Sequence, residues 1–218
     1  MSTLAAGVAH DFNNLLVSVL GNASLAQEFL PADNPAAGLL DGIIKAGEKA
    51  AVLTRQMLAY SGQGRFLVEA VDLSEMAAEA GAAMRESVPG NVALRLDLQT
   101  ELPTVQADRR QMRQVFANLV LNAAEAMGNA GGEVMVKTGV EDVDTAPYVK
   151  LEVRDTGCGM DEATKARIFE PFFSTKFTGR GLGLAAVAGI VRGHKGAIRV
   201  ESAPGGGACF TVLLPAAG

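Results

Sequence analysis

The sequence predicts an α+β protein in two parts. An N-terminal helical hairpin, forming a four-helix bundle with a second copy, precedes a C-terminal α/β sandwich. Three observations predict this. Apolar residues recur every three or four positions as far as Tyr60, with a break at Pro31, Asp33, Asn34 and Pro35. Gly62-Gln-Gly64 then ends that pattern. Beyond it, short alternating apolar runs intersperse with helical ones, the mark of a sheet covered by helices.

The hairpin comes first. Ala5, Val8, Phe12, Leu15, Val19, Ala26 and Phe29 form one seam; Leu39, Ile43, Ala46, Ala50, Leu53, Met57 and Tyr60 form the second. Leu16, Leu20 and Leu40 widen the apolar face beyond what a two-helix seam needs. Two hairpins from two chains would bury it, so the expectation is a homodimer. Met1 opens inside the helical pattern, as expected of a piece cut from a longer protein.

After a hinge at 63–65, Phe66–Val71 reads as a strand, Leu73–Glu86 as a helix and Val92–Leu98 as a strand. Asp108–Met127 is a long helix, with Asp108 and Gln111 at capping-box spacing. Val134–Val140 and Tyr148–Arg154 form a strand hairpin, and Asp161–Phe169 a short helix. Glu170–Arg180 is a loop without periodicity. Leu182–Arg192 is an apolar helix closed by Gly193, and strands Ala197–Ser202 and Ala208–Leu214 flank the turn Pro204-Gly-Gly-Gly207.

Bulk composition excludes several classes. Net charge is −5 with no basic cluster, which argues against nucleic acid as a ligand. No apolar run reaches membrane-spanning length, and no signal peptide is evident, so this segment is expected to make no membrane contact and to lie in the cytoplasm, even if a longer protein is anchored. Cys158 and Cys209 lack metal-type spacing and read as free thiols.

Three ordered pieces carry the chemistry. Asn118 and Asn122 lie four apart, on one helix face, where amide oxygens can ligate Mg²⁺ or simply make internal hydrogen bonds. Asp155 ends a strand and opens Asp-Thr-Gly-Cys-Gly; a carboxylate there can accept from an adenine amino group, with Gly157 and Gly159 allowing close approach of a flat base. Gly179, Gly181 and Gly183 run through Leu182 into a helix start, whose N–H groups suit phosphate oxygens. Neither a Walker A pattern nor G-x-G-x-x-G is present. Lys176 and Arg180 sit in the preceding loop, which reads as a cationic lid. Phe169, Phe172 and Phe173 read as anchors at the lid base. His194, just past a helix end, reads as a carbonyl cap or turn filler.

His10 falls opposite the hairpin seam and so faces outward on a rigid helix. Asp11 adjoins it and could accept the ring proton; Asn14 is the same-face neighbour one turn on and could position a water for the reverse, dephosphorylating reaction. Alone, the triplet reads as an ordinary helix surface. Beside an ATP site it reads as a phosphoryl acceptor.

The ordered set resembles the catalytic core of sensor histidine kinases, with an ATP-binding domain of the Bergerat ATPase type over 66–218 and a dimerisation and phosphotransfer domain over 1–62. Asn118–Asn122 is similar to the N box, Asp155–Gly159 to the G1 box, Phe169–Phe173 to the F box, Gly179–Gly183 to the G2 box and His10–Leu16 to the H box, in a variant resembling hybrid and nitrogen-regulatory kinases. The resemblance implies Asn122 as principal Mg²⁺ ligand with Asn118 assisting, Asp155 as adenine reader and the three glycines as phosphate holders. It implies ATP-dependent autophosphorylation of His10, then transfer to an aspartate of a response-regulator receiver, separate or fused, with phosphatase activity in reserve.

Departures exist. Glu125 stands where many such kinases carry a base, Leu15 where many carry Pro, and Asp11 replaces the commoner Glu. Two alternatives remain open. One is an ATPase or Ser/Thr kinase of the same fold, against which Asn118 and the H-box helix argue. The other is a non-catalytic nucleotide-sensing dimer scaffold, kept open by Glu125.

Overall fold

The structure, a computed structural model, describes residues 15–16, 18–27, 29–30, 34–61, 67–144, 146–175 and 181–217, with backbone alone at 48, 49 and 51–61. The chain divides into units 1–64 and 65–218. The expected hinge at 63–65 lies outside the described residues.

In the first unit, 15–16 and 18–27 are helical (α1), and α2 spans Ala36–Ser61. Asn34 Oδ1 accepts from Ala36 N at 2.9 Å and opens α2. Ala23 and Gly47 are buried, and a Cβ on Gly47 would fall 2.7 Å from Leu20 Cδ2, so this glycine lets α2 approach α1 closely. The predicted seam points elsewhere: Leu15, Val19, Phe29, Leu39 and Ile43 are exposed. The hairpin thus closes through its Leu20 side and leaves a separate apolar stripe uncovered.

The second unit has strands β1 (Glu69–Val71), β2 (Val92–Asp97), β3 (Val105–Ala107), β4 (Gly132–Val143), β5 (Ala146–Asp155), β6 (Ala197–Ser202) and β7 (Ala208–Pro215). Its helices are α3 (Leu73–Met84), α4 (Arg109–Ala126), α5 (Glu162–Lys165) and α6 (Gly183–Gly193). The main sheet has the order β2-β4-β5-β7-β6, with only the β2–β4 pair parallel. β1 and β3 form a separate antiparallel pair. β3 was not expected; three residues are too short for an alternating pattern to register. The Asp161–Phe169 helix shrinks to Glu162–Lys165, capped by Asp161 Oδ1 on Thr164 N at 2.8 Å.

The core lies between helices and sheet. α4 packs against α3, α6, β4 and β5. Its Met112, Val115, Phe116, Leu119, Val120 and Ala123 are buried, spaced three and four apart as one apolar face requires. Val134, Val136, Val149, Leu151, Val153, Phe210 and Val212 are buried on the strands. Asp72 caps α3 and Asp108 caps α4, each accepting two first-turn N–H groups.

α6 ends in a Schellman motif. Gly196 N donates to Val191 O at 2.9 Å and Lys195 N to Arg192 O at 3.0 Å. The left-handed position is filled by Lys195, with φ of 58°, rather than by glycine. The glycine is needed one residue later: a Cβ on Gly196 would stand 2.5 Å from Leu213 O and 2.8 Å from Val191 Cγ1. The expected closure at Gly193 is therefore displaced to 194–196. Lys195→Gly should relieve the left-handed strain and raise stability by about 1 kcal/mol. Gly196→Ala should lower it by more than about 2 kcal/mol, since the clash is with backbone. Urea midpoints of the two variants check both signs.

Candidate functional site

Period two along β5 puts Val149, Leu151, Val153 and Asp155 on one face, and all four are buried. The strand therefore delivers a carboxylate, 4% exposed, at the end of an apolar row. Its Oδ1 accepts from Gly157 N at 2.8 Å and Ala208 N at 3.2 Å, which fixes its orientation. A carboxylate only accepts, so it suits a ligand amino group such as that of adenine.

The loop after Asp155 is held on two sides. On the α4 side, Cys158 N donates to Ala126 O at 3.2 Å, and a Cβ on Gly157 would come 2.8 Å from that oxygen. On the β6–β7 side, Gly205 N donates to Cys158 O at 2.7 Å. Ser202 Oγ accepts from Met160 N at 2.9 Å and donates to Gly207 O at 2.7 Å. Gly159 and Gly207 have φ of 65° and 71°, and a Cβ on either would strike backbone, of Ala203 and Asp155 respectively. Backbone here approaches too closely for any side chain.

The other end of the site lies two turns back along α4. Asn118 Nδ2 donates to Gly183 O at 3.2 Å, tying α4 to the first residue of α6. That bond commits the amide nitrogen and leaves the oxygen as the atom that a cation could take. Among the described residues no side chain caps α6: Leu182 stands at its N-cap without a side-chain hydrogen bond. First-turn N–H groups of this kind suit a phosphate oxygen. Ala126 and Asn118 are eight residues apart, so the loop after Asp155 and the α6 start meet α4 about 12 Å apart along its axis. That is the span of a nucleotide rather than of a single phosphate. Asn122, half-buried, lies one turn from each end.

The lid base differs from expectation. Phe169 and Phe173 are half-buried, and Arg167 lies over the Phe173 ring at 4.3 Å. Phe172 is 66% exposed, so its side chain is not a packing anchor. Its backbone is: Phe172 N donates to Gly181 O at 2.9 Å, and Phe172 takes the left-handed φ of 67°. Gly181, with φ of 63°, leaves no room for a Cβ against Phe173 O. Lys176, Gly179 and Arg180 lie outside the described residues, as do His10, Asp11 and Asn14.

The donor set at Asn118 and Asn122 fits a hard divalent cation only in company. Amide oxygens are neutral ligands, and no cluster of three His, Cys, Asp or Glu suited to a metal occurs among the described residues. Phosphate oxygens and water would have to complete the shell. Glu125, one turn past Asn122, is exposed.

Several contributing residues escaped the sequence reading. Ser202, Gly205 and Gly207 were assigned only to a strand and turn, although the run of three glycines was the available signal. Thr156, whose Oγ1 accepts from Glu133 N at 3.1 Å, and the Ala126 carbonyl carry no local signature. His194 caps α6 as expected, its N–H donating to Ile190 O at 3.1 Å, but it also joins α4.

Residues 107–218 match the family described as histidine kinase-, DNA gyrase B-, and HSP90-like ATPase. The chain is 35% identical to the sensor kinase CckA of Brucella abortus, across 97% of its own length and 24% of that protein's. It spans between about a quarter and a half of the curated relatives it matches. Full-length ShkA, solved in complex with AMPPNP, superposes with a TM-score of 0.80 at 26% identity, over 100% of this chain and 46% of that one. Histidine kinase ThkA, solved in complex with response regulator TrrA, superposes with a TM-score of 0.63 at 26% identity, over 99% of this chain and 61% of that one. Its ATPase-domain match, its sensor-kinase relatives and its fold together make this chain a member of the histidine kinase-, DNA gyrase B- and HSP90-like ATPase family.

Proposed function

We propose that this chain is the catalytic core of a two-component sensor histidine kinase, with 1–62 the dimerisation and phosphotransfer domain, 63–65 the hinge and 66–218 the ATP-binding domain. The observation that carries the reading is the pairing of α4 with two glycine-supported loops. One loop carries an oriented buried carboxylate, Asp155; the other leads into an uncapped helix start at Gly183. Adenine would sit against Asp155, Gly157 and Gly159. The phosphates would sit at Gly179, Gly181, Leu182 and Gly183, with Lys176 and Arg180 supplying charge. Asn122, assisted by Asn118, would hold Mg²⁺, which neutralises charge on the phosphates when bound.

The His10 imidazole would attack the γ-phosphorus in line. A nitrogen–phosphorus bond forms, the bond to the bridging oxygen breaks and ADP leaves. Asp11 accepts the proton of the other ring nitrogen and orients it. Asn14 holds water for the reverse, dephosphorylating reaction. The phosphoryl group then passes to an aspartate of a response-regulator receiver; the ThkA complex with a response regulator supports a partner of this class. The exposed Leu15, Val19, Phe29, Leu39 and Ile43 support a homodimer whose bundle covers them. No helix among the described residues is long and apolar enough to cross a membrane, in keeping with a cytoplasmic segment of a protein that is anchored elsewhere or not at all.

Incubation with Mg²⁺ and γ-labelled ATP should leave protein-bound label that is lost in acid, kept in alkali and absent from His10→Ala. Acid-stable label would overturn the His10 assignment. Asn122→Ala should keep its fold by circular dichroism and weaken Mg²⁺-dependent nucleotide binding by roughly tenfold or more in calorimetry, about 1.4 kcal/mol; retained affinity would remove Asn122 from the metal site.

The thiols give an independent check. Cys158 is exposed in the Asp155 loop, whereas burial pushes the Cys209 thiol above its ordinary range. A thiol reagent should therefore modify Cys158 rapidly and Cys209 only on unfolding. MgATP should slow the Cys158 reaction if that loop receives the base. Unchanged labelling rates under saturating nucleotide would count against it.

A further inference from the structure

We propose that His194 is a positioning residue for the nucleotide site, acting as a latch between the C-terminal end of α6 and the N-terminal end of α4. The proposal rests on the nucleotide-site reading above. Asp108 N donates to His194 Nε2 at 3.0 Å, and His194 Nδ1 lies 2.8 Å from Ile190 O. Accepting at Nε2 requires the neutral tautomer with its proton on Nδ1, donated to Ile190 O. The ring is 7% exposed, so both bonds are shielded from water.

The two helices so joined are the ones whose other contact, Asn118 Nδ2 to Gly183 O, sets the phosphate end of the site. α4 runs from Asp108 past Asn118, and α6 runs from Gly183 to the His194 cap. One hydrogen bond therefore pins each end of the α4–α6 pair. Loss of the His194 bond leaves packing and the Asn118–Gly183 bond to hold the register of α6 on α4, and opening of its first turn beside Asn118 becomes more frequent.

Two further observations make the latch more than a static cap. Asp108 Oδ2 accepts from Leu67 N at 3.0 Å, two residues after this unit begins at Arg65. Asp108 thus binds the Leu67 backbone through its side chain and the His194 ring through its own N–H. Gln111 Oε1, one turn along α4, is buried and has no hydrogen-bond partner among the described residues. In a capping box that oxygen would accept the Asp108 N–H. The Asp108 N–H consequently has a second acceptor at hand, and an unlatched arrangement strands no buried donor. The latch so proposed is a two-state element: one N–H with His194 Nε2 as its observed acceptor and Gln111 Oε1 as an unused one.

The test uses the full chain. His194→Asn keeps an amide donor at the Nδ1 position and removes the Nε2 acceptor; His194→Gln places an acceptor near Nε2 again. Amide hydrogen exchange of the nucleotide-free proteins is read at 183–187, with the β5 amides as a control for global stability. In His194→Asn, exchange at 183–187 should rise about tenfold beyond the control, and the apparent KM for MgATP in His10 labelling should rise by a similar factor, with kcat within about twofold. His194→Gln should recover most of both. Wild-type exchange at 183–187 in His194→Asn would overturn the latch, as would a His194→Gln no better than Asn. A rise matched by the β5 control would also overturn it, making His194 merely structural. Absence of nucleotide binding by the wild-type chain would instead refute the nucleotide-site reading, and the exchange data would still decide the latch.

Discussion

Everything in the second unit is referred to α4, because that helix is held from three directions at once. Its apolar face is buried against β4 and β5, which fixes its rotation about its own axis. Asp108 and His194 hold its beginning, and the Ala126 carbonyl takes the Cys158 N–H near its end. With rotation and both ends determined, Asn118 is held facing the α6 start, and Asn122 follows one turn on along the same helix. An amphipathic helix in a packed interior is a stiff ruler, since a methylene-sized shift is felt throughout such a core. The two loops of the site are placed by where they touch this ruler.

The glycines at those touching points differ in what they do. Gly157 permits an approach to the Ala126 carbonyl that any Cβ would prevent, without unusual backbone angles. Gly181 and Gly207 combine left-handed backbone with contact against neighbouring main chain, so both the angle and the space exclude other residues. Phe172 and Lys195 show the opposite economy. Each takes a left-handed angle without being glycine, next to a glycine whose small size is demanded by packing one step away or across a turn. At these positions strain is tolerated where a side chain has solvent to occupy, and glycine stands where backbone meets backbone.

This division explains what the sequence disclosed. α4, β4, β5 and α6 are long and periodic, and the α+β architecture followed from them. Asp155 and the glycine runs were legible because their chemistry is local: a carboxylate at a strand end, flexible backbone at a helix start. The His194–Asp108 bond joins residues 86 apart, and nothing in the neighbourhood of either announces the other. Gln111 was read as half of a capping box by its spacing, yet His194 has taken the N–H it would have received. Phe172 looked like a core residue by type, yet its backbone makes the bond to Gly181 while its side chain is exposed. The hairpin repeats the lesson, since periodicity found the apolar stripe but not which side of it the partner helix would take.

Asn118 bears on which chemistry this site supports. Its amide nitrogen is spent on the Gly183 carbonyl, so the junction of α4 with the α6 start is closed by a side-chain donor. A carboxylate at that position has no proton to give; it would set two acceptors against each other and push the α6 start away from α4. The residue that holds the cradle together is therefore also one that cannot take a proton from water. A site built this way contains, at position 118, no group able to activate a hydrolytic nucleophile. The geometry that closes the α4–α6 junction and, under the proposed function, the reliance on a phosphoryl acceptor brought from elsewhere are thus two consequences of one amide.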